Sequence, residues 1–258
     1  SSANSVQIQR GVGTSTNGAG AFGATLSISN IQQMDSAGVV LGSSAGSFNT
    51  FKNTLTAGTG MLKGGWQFDV RLSKISSDGY IQHSASDLKS LQFTAGWKAS
   101  ENTWLHFMVM TGVEKTQQAW DGVPEDSVKP SYFHPNVNTS RRYNDLGLRP
   151  DGSYYNNQTD NYQQDYYQLF ADHKFSPYLT GHIGLFLTRG RGYYEEYKQG
   201  QILSENYGLS TTGLQDTSNL IRQLWLDNYY YGSVFSLQYQ RNKTQLKLGG
   251  VATQFEIG

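Results

Sequence analysis

The feature that most restricts the fold is an alternation of apolar and polar residues that recurs along the chain. Residues 66–73 read WQFDVRLS, in which every second residue is apolar and those between are polar. Side chains of a β-strand point alternately to its two faces, so such a segment has one apolar and one polar face. Similar runs lie at 91–97, 105–113, 167–175, 179–187, 231–239 and 244–248, with weaker ones at 38–42 and 48–58. The pattern predicts an all-β chain of about nine strands.

The connections between these segments alternate in length. Short turns at 98–102, 176–177 and 241–242 alternate with long polar segments at 116–163 and 192–227. Membrane β-barrels have short periplasmic turns and long outer loops, and a strand of about ten residues crosses a bilayer at the usual tilt. A soluble β-sandwich has the same alternation of residues, so periodicity leaves both architectures open. The alternation of loop length favours the barrel.

Composition excludes several classes of function. The chain has no cysteine, which rules out disulfides, thiolate metal sites and a cysteine nucleophile. Its formal net charge is zero, so it lacks the basic surface expected of a nucleic-acid-binding protein. No apolar run approaches the roughly twenty residues that a membrane helix needs.

Residues 6–30 predict a hairpin with a glycine-rich bend, because alternating apolar residues flank the glycines on both sides. Gly18, Gly20 and Gly23 also match G-x-G-x-x-G, the dinucleotide-binding fingerprint. That fingerprint requires a helix directly afterwards, whose N-terminus receives the pyrophosphate. Residues 24–29 alternate at period two instead, so the sequence predicts a strand and no nucleotide site.

The same stretch resembles the end of the plug domain of TonB-dependent outer-membrane receptors, at Arg10-Gly11, Ser15, Gly18, Ala21 and Gly23. The segments GSFNT at 46–50 and RLSKISSDGY at 71–80 resemble early barrel strands of that family. EKTQQAWDGVP at 114–124 and TRGRGYYEEY at 188–197 resemble stretches in receptors of Bacteroidetes-type bacteria. Taken in order, these matches run through most of the chain.

The resemblance implies part of a large antiparallel transmembrane β-barrel preceded by the C-terminal part of a plug domain. Residues 1–36 would belong to the plug, and residues 37–258 to the first strands and outer loops of the barrel. An odd number of strands with two open edges is not viable in lipid, so we expect a fragment of a larger receptor. The resemblance also implies structural plug–barrel contacts at Arg10, Gly11, Gly18 and Gly23.

The function implied by the resemblance is active uptake of a scarce solute across the bacterial outer membrane. The implied partners are the rest of the same receptor, TonB with its inner-membrane motor proteins, a small extracellular ligand, outer-membrane lipid and a surface lipoprotein. The solute stays open among ferric siderophore, haem, cobalamin, peptide and glycan. No enzyme activity and no cofactor are expected. The alternative is a soluble or surface-attached β-rich carbohydrate-binding module.

Two long segments predicted as loops hold the candidate ligand-binding residues. Aromatic rings mixed with Arg, Asn and Gln suit a planar or glycan-like solute, through stacking and hydrogen bonds. The alternative is that these rings pack the loops against each other. The candidates are Trp120, Tyr132, His134, Arg141, Arg142, Tyr143, Tyr154, Tyr155, Tyr193 and Tyr194.

No catalytic or metal site is predicted. The acidic pair Glu195-Glu196 lies in a segment predicted as a loop, where carboxylates are usually solvated. The five histidines match no metal-binding spacing. His106 and His182 fall on the polar faces of their strands, so we expect them to line a lumen.

Overall fold

The computed structural model describes residues 5–11, 23–29, 33–121, 142–209 and 215–258. These residues form two antiparallel sheets, one of two strands and one of nine. In the larger sheet every strand pairs with its neighbours in the sequence, in the order β11 to β3. The prediction of an all-β chain with about nine barrel strands is therefore confirmed.

The strands and one short helix have the following bounds: β1 Ser5–Arg10, β2 Ala24–Ser29, β3 Ser36–Gly46, β4 Thr50–Gly60, β5 Trp66–Ser77, β6 Ser86–Ser100, β7 Thr103–Gln117, β8 Thr159–Ser176, β9 Leu179–Ile202, α1 Leu203–Tyr207, β10 Thr217–Arg241 and β11 Thr244–Ile257. A search of the described residues finds no helix with the length and apolar character needed to span a membrane.

Strands β1 and β2 form the predicted hairpin, with pairing from Ser5↔Ser29 to Arg10↔Ala24. The Gly11 N–H donates to the Gly23 carbonyl at 2.7 Å, and Gly11 has φ +83°, a conformation that favours glycine. The Arg10 side chain is exposed. Gly18 lies outside the described residues. Because strand β2 follows the glycine-rich stretch, the helix that a nucleotide site requires is replaced by a strand.

The connections of the large sheet alternate as predicted. At one end they are residues 47–49, 78–85, 118–158 and 203–216. At the other end they are residues 61–65, 101–102, 177–178 and 242–243. We refer to these as the long-loop end and the short-turn end. Strand β3 begins at the short-turn end, so the segment that follows the hairpin enters the sheet there.

Two strands are much longer than their apolar repeats predicted. Strand β9 continues to Ile202 and β10 begins at Thr217, so most of 192–227 is paired strand and the prediction of an irregular segment was wrong. Toward the long-loop end the apolar residues of these strands, such as Leu224, Trp225 and Leu226, fall on both faces, so no period-two hydropathy marks them. Backbone hydrogen bonds form whatever the side chains are, and they continue the ladder through pairs such as Tyr193↔Trp225.

A smaller correction concerns the start of β4. The apolar run predicted a strand from Phe48, whereas β4 begins at Thr50. Phe48 and Asn49 have φ of 59° and 52° and form the turn from β3. Left-handed backbone of this kind cannot continue a strand.

Each strand of the large sheet has an apolar face, and the register places these faces on one side. One row across the sheet runs Val70↔Phe93↔Val109↔Tyr167↔Leu187. We call this side the apolar face and the opposite side the inner face. Among the described residues Met108 is the one buried hydrophobic side chain, and apolar-face residues such as Leu169 are about half exposed (45%). The sheet therefore has no apolar layer of the described chain packed on it.

The segment at Gln33 and Met34 is held against the inner face of the sheet. The Met34 N–H donates to Asp69 Oδ1 at 2.9 Å, and Gln67 Nε2 donates to the Met34 carbonyl at 2.6 Å. Asp69 and Gln67 are both buried, at 6% exposure. A Cβ at Gly58 would lie 2.9 Å from the Met34 Cβ, so the missing side chain leaves room for this segment. We call the two hydrogen bonds the Met34 clasp.

Asp69→Ala is expected to release the Met34 clasp while the sheet stays folded. A hydrogen bond to a charged group contributes about 1.5–3 kcal/mol, and the change leaves the Met34 N–H without its acceptor. Hydrogen exchange of the Met34 amide should therefore accelerate by roughly 10–100-fold. Asp172→Ala, also on the inner face but far along the sheet, is the matched control. Unchanged exchange at Met34 in Asp69→Ala would show that the carboxylate does not hold the segment.

Candidate ligand-binding site

A pocket of about 310 Å³ opens on the inner face toward the long-loop end. Odd-numbered residues of β5 and even-numbered residues of β6 to β9 project inward, because the register brings these positions together. The alternation at 162–166 therefore directs two tyrosines and a glutamine to the same side. The lining includes Ile75, Leu88, Met110, Glu114, Tyr162, Gln164 and Tyr166.

One carboxylate, Glu114, lines this pocket, and a second, Asp160, lies in the next inward row. Glu114 is the direct cross-strand partner of Tyr162, and Asp160 is that of Thr116 in the next inward row. Both acids lie beyond the apolar rows, toward the long loops. Burial raises the pKa of Glu114, and the neighbouring charge of Asp160 raises it further. Burial also raises the pKa of Asp160. The pocket thus presents ring faces beside two carboxyl groups that take up a proton more readily than exposed ones.

Trp120 and Tyr194 are the two candidates that come together above this pocket. Tyr194 projects inward from β9 opposite Asp160. Its ring meets the Trp120 ring edge to face, with 5.7 Å between centroids. Trp120 is 54% exposed, so an aromatic surface remains open to a solute there. This pair and the pocket below it form what we call the inner aromatic site.

Other candidates join the loops to one another. Arg142 Nε donates to the Tyr80 carbonyl at 2.6 Å, and its guanidinium lies 5.3 Å from the centre of the Phe48 ring. Tyr154 stacks on His83 with 3.8 Å between ring centroids. The Tyr154 hydroxyl donates to the Asn144 carbonyl, and burial raises its pKa. At Arg142 and Tyr154 the side chains therefore pack the loops against each other, which is the alternative to ligand binding given in the sequence analysis.

The remaining candidates are placed differently. Tyr143 is half-buried in the loop, and burial raises its pKa. Tyr193 lies on the apolar-face side of β9, opposite to Tyr194, where it contacts Trp225 at 4.5 Å between ring centroids. The structure therefore separates two adjacent tyrosines that the sequence placed in one loop. Tyr132, His134 and Arg141 lie outside the described residues.

A buried carboxylate anchors the loop between β7 and β8. Glu195 Oε1 accepts hydrogen bonds from the Tyr155 hydroxyl and from Asn157 Nδ2, the latter at 2.6 Å. Glu195 Oε2 accepts one from Gln223 Nε2 at 2.5 Å. The Tyr155 hydroxyl, Gln223 and Asn157 stabilise the charged form and lower the pKa of Glu195. We call these four residues the Glu195 anchor.

Three buried side-chain amides extend this anchor into the loop. Gln158 Nε2 donates to Gln118 Oε1 at 2.8 Å, and Gln118 Nε2 donates to the Glu195 carbonyl at 3.1 Å. Asn144 Nδ2 donates to the carbonyls of Gln82 and Gln118 at 3.0 and 2.9 Å. All three amides are at most 5% exposed. The part of this loop that the structure describes, residues 142–158, is therefore tied to the strands by a network of side-chain hydrogen bonds.

The acidic pair at Glu195-Glu196 was wrongly placed in a loop, because both residues are buried within β9. Successive residues of a strand point to opposite faces, so the two carboxylates cannot converge on one substrate. Glu196 is paired with Arg222 at 2.7 Å and with Lys198 at 3.2 Å. Within the described ranges no group of three or more histidine or acidic side chains is arranged to hold a metal ion.

His106 and His182 lie on the inner face, as predicted from the alternation of their strands. His182 Nδ1 is 2.8 Å from Asp172 Oδ1, and His106 stacks on Trp104 with 5.5 Å between ring centroids. These contacts lie toward the short-turn end, far from the inner aromatic site.

Comparison with solved structures gives clear matches for the whole large sheet. The ferric-catecholate import receptor Fiu from E. coli K12 matches 95% of this chain with a TM-score of 0.70 and 13% identity, over 35% of its own length. The siderophore receptor PiuA from Acinetobacter baumannii matches 97% with a TM-score of 0.69 and 12% identity, over 34% of its length. P. aeruginosa FpvA, in a complex with a ferric pyoverdine, matches 97% with a TM-score of 0.72 and 12% identity, over 31% of its length.

The large sheet has the fold of a TonB-dependent receptor barrel. The chain spans about a third of the length of these receptors, so it corresponds to part of such a barrel. No family model matches the sequence, and no curated protein matches it either. The matched structures are receptors and transporters rather than enzymes.

Sequence reasoning missed several residues of the inner aromatic site. Glu114 was not among the candidate residues, and Tyr162 and Tyr166 fell in or beside a segment predicted as irregular. The signal that could have found them is the spacing of Tyr162, Gln164 and Tyr166, which places all three on one face of a strand.

Proposed function

We propose that this chain is part of a TonB-dependent receptor of the bacterial outer membrane, which imports a scarce solute with energy from the inner membrane. Residues 1–36 would be the end of the plug, and residues 37–258 the first barrel strands with their outer loops. The two sheets, which are separated between Ser29 and Ser36, support this division. TonB, the rest of the receptor and a small extracellular ligand are the partners that this function requires.

The observation that carries the proposal is the apolar face of a receptor-type barrel, over which the described residues place no second apolar layer. Side chains such as Leu169, Leu185 and Phe235 are 45–50% exposed along strands that are long enough to cross a bilayer. Exposed apolar surface costs about 25 cal/mol for each Å² left in water, so a face of this size requires lipid. The inner face is polar and holds the aromatic site, as expected for a solute path.

The inner aromatic site restricts the solute that we propose. The rings of Trp120, Tyr162 and Tyr194 offer stacking surfaces, and the ionised forms of Glu114 and Asp160 disfavour a highly anionic ferric chelate. A neutral or cationic solute with a planar or sugar face, of the glycan, cobalamin or peptide type, fits this chemistry better. Ferric siderophores and haem are the competing classes of solute, and a binding measurement distinguishes them from the glycan, cobalamin and peptide classes.

The proposed function is tested with a pair of neighbouring tyrosines. Tyr194→Ala is expected to weaken solute binding about tenfold, because it removes a ring from the inner aromatic site. Tyr193→Ala, on the opposite face of the same strand, is the matched control and should bind as the wild type does. Binding is measured on outer membranes that contain the full-length protein, with labelled cyanocobalamin, a maltooligosaccharide, a peptide, haem and a ferric catecholate as probes. Equal losses in both variants, or a protein that stays in the detergent-free soluble fraction, would contradict the proposal.

The alternative of a soluble carbohydrate-binding module is disfavoured by the same apolar face. A soluble β-sandwich buries its apolar faces between two sheets. Here the described residues include one large sheet and a separate two-stranded hairpin, with a single buried hydrophobic side chain. Fractionation of the wild-type protein in the experiment above distinguishes the two functions.

A further inference from the structure

Two basic side chains lie on the inner face, just beyond the inner aromatic site toward the long loops. Glu196 and Arg222 are cross-strand partners, one inward row beyond Tyr194. Lys198 lies two residues after Glu196 on β9, so it projects to the same face. Arg222 Nη2 and Lys198 Nζ lie 2.7 and 3.2 Å from the same carboxylate oxygen, Glu196 Oε2. Two cations therefore share one carboxylate. We call Arg222 and Lys198 the basic pair.

The basic pair has more hydrogen-bond donors than Glu196 can accept. A guanidinium group has five N–H donors and an ammonium group has three. Within the part of the chain that the structure describes, the Arg222 Nε is buried and has no hydrogen-bond partner. The side chains of Arg222 and Lys198 are 31% and 33% exposed, so a solute on the inner face can reach them. The pair is therefore able to bind a second carboxylate.

The neighbouring carboxylates do not occupy the basic pair. Glu195 lies on the opposite face, in the Glu195 anchor. Asp216 is hydrogen-bonded within the connection that follows β9. Asp121 and Glu205 are exposed, so water and salt screen their charge. Of the carboxylates in the described ranges, Glu196 is the one that forms ion pairs with these two cations.

The opposite charge lies deeper on the same face. Asp160 is the cross-strand partner of Tyr194, one inward row below Arg222, and Glu114 lies in the row below that. Two residues of a strand span about 7 Å, which is the spacing between the row of Asp160 and the row of Arg222. Burial raises the pKa of both carboxyl groups, so an ammonium group placed beside them would stabilise their charged forms. The inner aromatic site therefore has an acidic end and a basic end.

We propose that the inner aromatic site binds a zwitterionic peptide, with its ammonium group at Asp160 and Glu114 and its carboxylate at the basic pair. The inference rests on the proposed function and narrows its solute to one class. An extended segment of two or three residues spans about 7–10 Å, so it joins the two rows. An aromatic side chain of the peptide would stack on Trp120 or Tyr194. A neutral glycan carries neither of the two charges that this arrangement complements.

The test uses the full-length protein in detergent micelles, titrated by calorimetry with the tripeptide Ala-Trp-Ala. Two capped forms of the peptide each lack one charge: amidation of the C-terminus removes the carboxylate, and acetylation of the N-terminus removes the ammonium group. The wild type should bind the free peptide at least about tenfold more tightly than either capped form, because each cap removes hydrogen bonds between charged groups.

Variants at the two ends of the site assign each charge of the peptide to its side chains. In Arg222→Gln/Lys198→Gln the free peptide should bind about tenfold more weakly, and amidation should cause no further loss, whereas acetylation should still weaken binding. In Glu114→Gln/Asp160→Asn acetylation should cause no further loss, whereas amidation should still weaken binding. Arg222→Lys/Lys198→Arg keeps both positive charges and should retain the preference for the free carboxylate.

Arg189→Gln/Lys74→Gln is the matched control, because it removes the same two charges from the outward side of the sheet. Arg189 lies 2.7 Å from Asp227, the same distance that separates Arg222 from Glu196, so an ion pair of similar geometry is broken. This control should bind all three peptides as the wild type does.

Three results would overturn the inference. They are equal binding of free and capped peptides by the wild type, no binding of the free peptide at millimolar concentration, and a loss in the control as large as that in Arg222→Gln/Lys198→Gln. If one of them is found in a protein whose binding of labelled cyanocobalamin or a maltooligosaccharide depends on Tyr194, the proposed function stands without this inference. A wild-type protein that stays in the detergent-free soluble fraction overturns both.

Discussion

Leu169→Arg is expected to destabilise the protein in a bilayer by about 2–4 kcal/mol, the cost of a charged side chain at the lipid-facing midplane of a barrel. Leu169 lies on the apolar face between Phe107 and Leu185, in the middle of the apolar rows. Gln168, the preceding residue, faces inward beside Met108 and Phe186. Gln168→Arg should therefore cost less than about 1 kcal/mol, because its charge remains in the polar interior.

The comparison is measured by urea unfolding of the full-length protein in phospholipid vesicles, with each variant analysed beside the wild type. The two substitutions add the same side chain one residue apart, so chain position and net charge are matched. Equal destabilisation by the two variants would mean that the apolar face is not in contact with lipid, and the membrane assignment would fail. A large cost in water without lipid would lead to the same conclusion.

Glu195→Ala is expected to release the loop at 142–158 from strands β9 and β10, with a loss of about 3–5 kcal/mol in local stability. The change leaves the Tyr155 hydroxyl, the Asn157 amide and the Gln223 amide without their acceptor. Each hydrogen bond to a charged group contributes about 1.5–3 kcal/mol, and some of this loss is recovered by water that enters the opened loop. Hydrogen exchange of the 144–158 amides should increase by two or more orders of magnitude.

Two variants separate the charge of Glu195 from its shape. Glu195→Gln keeps the size and one acceptor oxygen, so the loss should fall to about 1–2 kcal/mol. Glu205→Ala removes an exposed carboxylate at helix α1 and should leave exchange unchanged. Loop exchange that is the same in Glu195→Ala and Glu205→Ala would contradict the role of the anchor.

The Glu195 anchor also has a defined dependence on pH. Hydrogen bonds from Tyr155, Gln223 and Asn157 lower the pKa of Glu195 in the folded protein. A carboxyl group with a lowered pKa stabilises the fold above its unfolded pKa, and this contribution is lost as the pH falls through the folded pKa. Loop protection should therefore be full at neutral pH and decrease only in acid below the ordinary range of a glutamate. Glu195→Gln should remove this acid-dependent step.

The sequence by itself determined the strands whose two faces differ in polarity. In β5, for example, Trp66 to Ser73 alternates strictly because one face meets an apolar medium and the other does not. The sequence also predicted the alternation of short and long connections, because turns and loops interrupt the alternation of apolar and polar residues. The hairpin at β1 and β2, and the inward positions of His106 and His182, also followed from periodicity alone.

Only the tertiary structure decided what happens toward the long loops. There polar, aromatic and aliphatic side chains fall on both faces of the strands, and hydropathy no longer distinguishes paired strand from loop. The sequence therefore predicted Tyr193 and Tyr194 as neighbours in one loop, although the register of β9 places them on opposite faces. The sequence predicted that Glu195 is a solvated carboxylate in a loop. In the structure it is buried and accepts hydrogen bonds from three donors distant in sequence. The burial of these side chains and the sheet face on which they lie depend on cross-strand register and on long-range hydrogen bonds. Local residue patterns do not encode either of these.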